Sequence, residues 1–306
     1  MTDHLLQKIT IGWAGLLIAL IAMLGLASTA LAVQTSQYDP FSRCPTAAPA
    51  LNEPASEVAI CAAGVAQKGA LKIGALTIPL SRFDVQFGTT GLGVEEPDCP
   101  EPGLCFGRAP GTTTIASAPS VLRVNPSGRE HEKGDGKGVS MKVTIESAGD
   151  IRALSPGFIF GLPVPVYELP IKLHIEAPWV GKNCYVGSDD KPILLTPFAV
   201  GEPTSIDIIG DPNGFNTEVL TLTGIPLADE AIALPAAKRC GHGLYKEQQS
   251  QKQADILVND LLGLPSPSGA NEVVLQNTDL ALAAAGFDGT PPEGGAELQA
   301  AFNAAK

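Results

Sequence analysis

In the stretch LPAAKRCGHG, Cys240 and His242 lie two residues apart, with glycines at 241 and 243. A thiolate beside an imidazole is a nucleophile, and Cys184, Cys240, His174 and His242 together would suit tetrahedral zinc. The spacing matches no zinc module, and no C-x-x-C is present. His174 falls on the polar phase of its strand, where a solvent-facing imidazole is the plain reading. A catalytic thiol taken from six cysteines would leave one without a partner. Ser188-Asp189-Asp190-Lys191 matches S-x-x-K, whose mechanism needs the serine at a helix start. Here GSDDKP reads as a β-turn, and neither S-D-N nor K-T-G follows. No G-x-S-x-G, H-E-x-x-H, P-loop or G-x-G-x-x-G occurs. His131 sits in the charged loop GREHEKGDGKG, a poor place for a preorganised base. Carboxylate pairs are too numerous to single out a glycosidase pair. The expectation is a protein that is not an enzyme and carries no cofactor.

Candidates for binding are weaker still. DPNGFNTE offers Asp211, Asn213, Asn216 and Glu218, oxygen ligands of the kind calcium takes. Phe215 and an early glycine depart from the EF-hand loop, so a metal-free tight turn is expected there. Sugar platforms need exposed aromatics. Trp179 and Tyr185 flank Cys184 and form a candidate patch, unless they pack on the disulfide. GFIFGLPVPVYELPIKL is apolar enough to line a ligand cavity, and reads as ordinary core until one is found.

The ends and the composition bound the rest. Residues 1–32 read as a signal peptide, with an apolar run from Ile9 to Ala27 and the small-x-small site Ala30-Leu31-Ala32. Uncleaved, the run approaches the length of a membrane anchor. That segment is the one membrane contact expected. Loss of Lys8 and Asp3 with it cancels, so the net charge stays at −12. Such a chain is repelled by phosphate backbones, and nucleic acid is not an expected partner. All six cysteines, Cys44, Cys61, Cys99, Cys105, Cys184 and Cys240, follow residue 32. An even count in an exported chain reads as three disulfides. Fifteen connectivities remain open, and the preferred one pairs neighbours along the chain: Cys44–Cys61, Cys99–Cys105 and Cys184–Cys240.

The elements that would position these residues are strands. Apolar side chains alternate with polar ones in LKIGALTIPL, GVSMKVTIES and LPIKLHIEAP, which marks strands with one dry face. Further strands are expected at Phe83–Phe87, Thr113–Val124, Gly157–Phe160, Ile193–Val200, Ser205–Ile209, Val219–Leu222, Ala231–Leu234 and Glu272–Leu282. The 33 Gly and 26 Pro suit many turns. One helix stands out at Lys246–Leu262, with Ala254, Leu257, Val258, Leu261 and Leu262 on one stripe. Gly263 supplies its C-cap and Pro265 stops it. The expected fold is mainly β: an antiparallel sandwich or open barrel over residues 33–283 with one amphipathic helix near the C-terminus, then a low-complexity tail over 284–306.

Four segments occur in this order: GALKIGALTIPLSR, PIKLHIEAPWVGKNCYVGSDDKPILLTPFAVG, ADEAIALPAAKRCGHG and LGLPSPSGANEVVLQNTDLAL. They resemble a group of secreted, β-rich actinobacterial proteins of unassigned function, with NCYIGS-like, PAA-x-x-CG-like and GLPS-x-x-GNN-like segments. Here GANE stands in place of the GNN-like triplet. The resemblance implies export, puts Cys184 with Cys240, and brings no catalytic residues. The function expected is non-catalytic binding or surface association, in the cell envelope or outside the cell, with an envelope polymer, another protein or a second copy as partner. The alternatives are a carrier holding an apolar ligand or lipid in the β-domain interior, and a hydrolase with an unrecognised site.

Overall fold

In the computed structural model, VSMKVTIES forms a strand with the expected phase: Met141, Val143 and Ile145 are buried, Ser140 and Lys142 exposed. The structure describes residues 39–45, 47–51, 59–74, 76–92, 99, 105–124, 139–209, 217–241 and 251–285. The signal segment 1–32, the charged loop 128–138, His242 and the tail from residue 286 lie outside the described residues.

Sixteen strands are described. The first six are β1 (Ala59–Ile73), β2 (Leu76–Leu80), β3 (Phe83–Leu92), β4 (Phe106–Arg108), β5 (Thr114–Ser117) and β6 (Ser120–Val124). Then come β7 (Val139–Ser147), β8 (Ala153–Leu154), β9 (Tyr167–Ala177), β10 (Gly181–Val186) and β11 (Ile193–Leu195). The last are β12 (Phe198–Ala199), β13 (Ser205–Ile209), β14 (Thr217–Asp229), β15 (Ala237–Lys238) and β16 (Asn271–Ala285). All pairings are antiparallel. A nine-stranded sheet runs β12-β14-β16-β1-β3-β4, with β13 beside β14, β2 beside β1 and β5 beside β3. A seven-stranded sheet runs β15-β10-β9-β7-β6, with β8 and β11 also beside β9. The sheets curl into a half-barrel, and both contribute to one apolar core. Leu71, Ile73 and Ile78 of the larger sheet and Leu169, Ile171, Leu173 and Ile175 of the smaller are each at most 2% exposed. Each such side chain contributes about 1.5–3 kcal/mol. Little space is left between the sheets: the void lined by Leu71, Ile145, Leu173 and Leu275 leaves about 10 Å³ to a water centre, at the threshold for holding one molecule.

The helix, α1 (Gln251–Leu262), buries Ala254, Val258 and Leu262 in that core and leaves Ile256 exposed. Its predicted first residues, 246–250, lie outside the described set. Gly263 takes φ 66, and the Leu264 N–H reaches back to the Asn259 carbonyl (2.8 Å), the longer bond of a Schellman cap. The helix also closes a sheet edge. Asn259 Oδ1 accepts from the Ala237 N–H (2.6 Å), and its Nδ2 donates to the Ala237 carbonyl (3.2 Å). One turn earlier, Asp255 accepts from the Cys240 N–H (2.7 Å). The side chains thus stand in for a further strand beside β15, where an open edge would invite association.

Four expected strands are corrected. Gly157–Phe160 belongs to a 3-10 turn, Pro156–Phe160. Ser155 caps it by accepting from the Gly157 N–H, Pro156 suits its first turn, and Gly161 closes it at φ 75. Ala231–Leu234 makes only one bridge, from Leu234 to Ser266, because Asp229 Oδ1 takes the Ala231 N–H (2.9 Å). Ile193–Val200 breaks at Pro197 into β11 and β12, and the chain passes there from the smaller sheet to the larger. Thr113–Val124 divides likewise around Pro119, into β5 and β6. Among the described residues, no helix is long and apolar enough to cross a membrane.

Candidate functional site

The cysteines pair as Cys44–Cys61, Cys99–Cys105 and Cys184–Cys240. Three disulfides are consistent with an extracellular protein. Cys184 and Cys240, both fully buried, are bonded to one another and offer no thiolate to a metal or a substrate. His174 lies on the solvent side of β9. Its Nδ1 faces Glu146 Oε1 (3.0 Å) and its Nε2 lies 2.8 Å from the Lys182 carbonyl. Both ring nitrogens are engaged, so neither is presented to a substrate. Ser188 and Lys191 form the expected turn: Ser188 Oγ accepts from the Lys191 N–H (3.1 Å), and the backbones of the two residues bond each other.

The candidate patch residues Trp179 and Tyr185 have different surroundings. Cys184 and Val186 of β10 point into the core, so Tyr185 points out and stacks on His174 at 4.6 Å. Lys172 lies over its ring (5.6 Å) while donating to Asp189 (2.7 Å). Trp179 instead packs against the core between the sheets. Trp179 belongs to the turn between β9 and β10, whereas Tyr185 stands on the outward face of β10. Of the calcium candidates, Asp211, Asn213 and Asn216 lie outside the described residues. Glu218 pairs with Ala284 through the backbone of β14. No group of three or more metal-ligating side chains occurs among the described residues.

The outer face of the larger sheet is covered in part by residues 39–45 and 47–51. Phe41 packs there on Cys61, Ala63, Ala281 and Ala283, and Leu51 fits over Gly88, where a Cβ would come within 2.6 Å of it. Beneath the segment Asp84 and Gln86 are fully buried. Arg43 bonds Asp84 through Nη2, and its N–H donates to Gln86 Oε1 (2.7 Å). Gln86 Nε2 donates to the Asp39 carbonyl (2.9 Å) and to Asp84 Oδ1 (3.2 Å). Burial outweighs the pull of Arg43 and pushes the Asp84 carboxyl up from its ordinary 3.8 to about 6. The partners described for this cluster are all internal, which marks it as a clasp.

What remains open is the inner face of the larger sheet at one end. Two apolar rows cross five strands there. One reads Ile206, Leu222, Leu280, Gly64, Val85; the other reads Ile208, Leu220, Leu282, Ala62, Phe87. Residues paired directly across antiparallel strands share a face, so both rows belong to the face that elsewhere meets the smaller sheet. Here the cover is the short turn carrying Phe158 and Ile159, and Phe160 at its end is 68% exposed. Beneath the turn lies an apolar pocket bounded by Phe87, Phe158, Ile159, Tyr167, Leu222 and Leu282, leaving about 30 Å³ to a water centre. Gly64 forms part of its floor, and a Cβ there would lie 3.2 Å from both Leu280 and Val85. The Tyr167 phenol at its rim stays protonated, held up by burial and then by the charge of Asp229. Toward β13 the cover ends: Leu220 and Leu282 are half-buried, Ile206 is 51% exposed and Ile208 70%. Among the described residues, no carboxylate pair, free histidine or thiol lines this end.

The fold and this end define a disulfide-bonded, two-sheet antiparallel β protein with an open apolar flank. No known protein family, curated protein or solved structure matches the chain.

Proposed function

We propose that this is a secreted, non-catalytic protein that acts by binding or surface association, at the cell envelope or in the extracellular space, and that the open end of its larger sheet is the surface it uses. The observation that carries the reading is the pair of apolar rows that end in exposed Ile206 and Ile208. Contiguous apolar patches left exposed on a protein surface commonly mark an interaction site. The three disulfides and the resemblance to secreted actinobacterial proteins support export. The engagement of His174 and the Cys184–Cys240 bond weigh against catalysis.

The pocket beneath Phe158 and Ile159 favours a second reading, a carrier of an apolar ligand. Its space as it stands suits one or two waters, so a carrier would need the turn to lift. Native mass spectrometry of the exported full chain separates the two. Surface association predicts an empty chain, six hydrogens lighter than its reduced form for three disulfides. A co-purified lipid mass would put the carrier first.

A further inference from the structure

The two lateral edges nearest the sheet junction are treated differently. At β15 the backbone is capped by Asn259 and Asp255 of the helix. At β13 no strand, helix or side-chain amide lies on the outer side among the described residues, and β14 is its one strand partner. An uncapped edge is a template for another strand. This one also exposes Ile206 and Ile208 on one face, continuous with the apolar rows, and Asp207 on the other. Charge narrows the choice of partner. Between Lys191 and Lys238 the chain has no lysine, arginine or histidine, but carries Glu202, Asp207, Asp211, Glu218, Asp229 and Glu230. A second copy, itself at −12, would bring the same carboxylates against them, and like charges opposed across a sheet are destabilising.

We propose that β13 is a docking edge for an extended segment of another protein, in which apolar residues alternate with basic ones. The added strand would continue the larger sheet. Its apolar side chains would cover Ile206 and Ile208, and a lysine or arginine on its other face would lie opposite Asp207. Main-chain hydrogen bonds would give affinity, and the alternating side chains specificity. This rests on the reading of the open end as a binding surface.

The test uses the full oxidised chain and labelled peptides of about eight residues, an ordinary strand length. One alternates lysine with valine, the other glutamate with valine, and a fluorescent fatty acid serves as a third probe. The expected result is binding of the lysine–valine peptide alone, with hydrogen-exchange protection appearing at 205–209. Ile208→Lys should weaken it by about tenfold or more, and Asp207→Lys should shift preference toward the glutamate–valine peptide by a similar factor. Both positions are exposed, so neither change threatens the core. Binding that ignores both substitutions would overturn the proposal. So would fatty acid binding that is lost in Ile208→Lys while neither peptide binds, although the open end would then stand as a binding surface. If no probe binds, the proposal and the reading beneath it both fall.

Discussion

Replacing Cys184 and Cys240 together by alanine is expected to lower the unfolding free energy by about 4 kcal/mol. The bond joins residues 56 apart in sequence, and the loss follows from the loop that the unfolded chain no longer has to close. The other two bonds span 17 and 6 residues and should contribute less, about 3 and 2 kcal/mol on the same argument. Position adds to the effect. Cys184 lies within β10, and Cys240 follows β15 where the Gly241 N–H donates to the Val180 carbonyl (2.6 Å) and Asp255 takes the Cys240 N–H. The bond therefore fixes the strand edge on which the helix sits. Changing both cysteines avoids a lone thiol that could exchange with the other bonds. For a domain stable by about 5–15 kcal/mol, the loss is a large fraction of the total. Denaturant unfolding of the double variant, with the other bonds oxidised, measures it. A change well under 1 kcal/mol would mean that other contacts already restrain this loop in the unfolded chain.

The second large effect is a pH dependence set by Asp84. Its folded-state pKa is pushed up to about 6 from an ordinary 3.8, so the folded chain holds this proton more tightly than the unfolded chain does. The stabilisation is fully present below about pH 4 and is lost as pH rises through about 6, where folding must bury a charged carboxylate. The difference between the two limits is about 3 kcal/mol. Asp84→Asn keeps an oxygen for Arg43 and removes the titration. Unfolding of both proteins should be followed from about pH 4 to about pH 7.5. Wild-type stability is expected to fall relative to the variant across that interval, by about 3 kcal/mol. A constant difference would show that Arg43 compensates the buried charge in full.

The parts of the fold legible in the sequence are those where large apolar side chains alternate with polar ones. β7 and β9 have that pattern, and the helix has its counterpart at spacings of three and four. The first half of β1, AICAAGVA, was not legible: alanine and glycine give little contrast between faces, although the strand is central to the larger sheet. A strand is expected at Gly157–Phe160, although Ser155, Pro156 and Gly161 carry the signal for a capped turn. The disulfides follow from neighbour pairing. The open end was hidden for a different reason. Its rows collect two residues from each of five strands scattered from Ala62 to Leu282, and no local window holds them together. In SIDII the alternation ordinarily marks a dry face, and nothing in those five residues tells that Ile206 and Ile208 stay uncovered. That depends on where the smaller sheet stops.

We propose that this protein binds through the open end of its larger sheet. The most direct measurement compares retention of the exported wild-type chain on the envelope fraction of the producing cells with that of an Ile206→Lys, Ile208→Lys double variant. Both substitutions fall on exposed positions, so the variant should keep its disulfides and its circular dichroism. The account predicts that the variant passes into the soluble fraction, with apparent affinity reduced by about tenfold or more. Equal retention of a folded variant would contradict it and would move the binding surface elsewhere on the molecule.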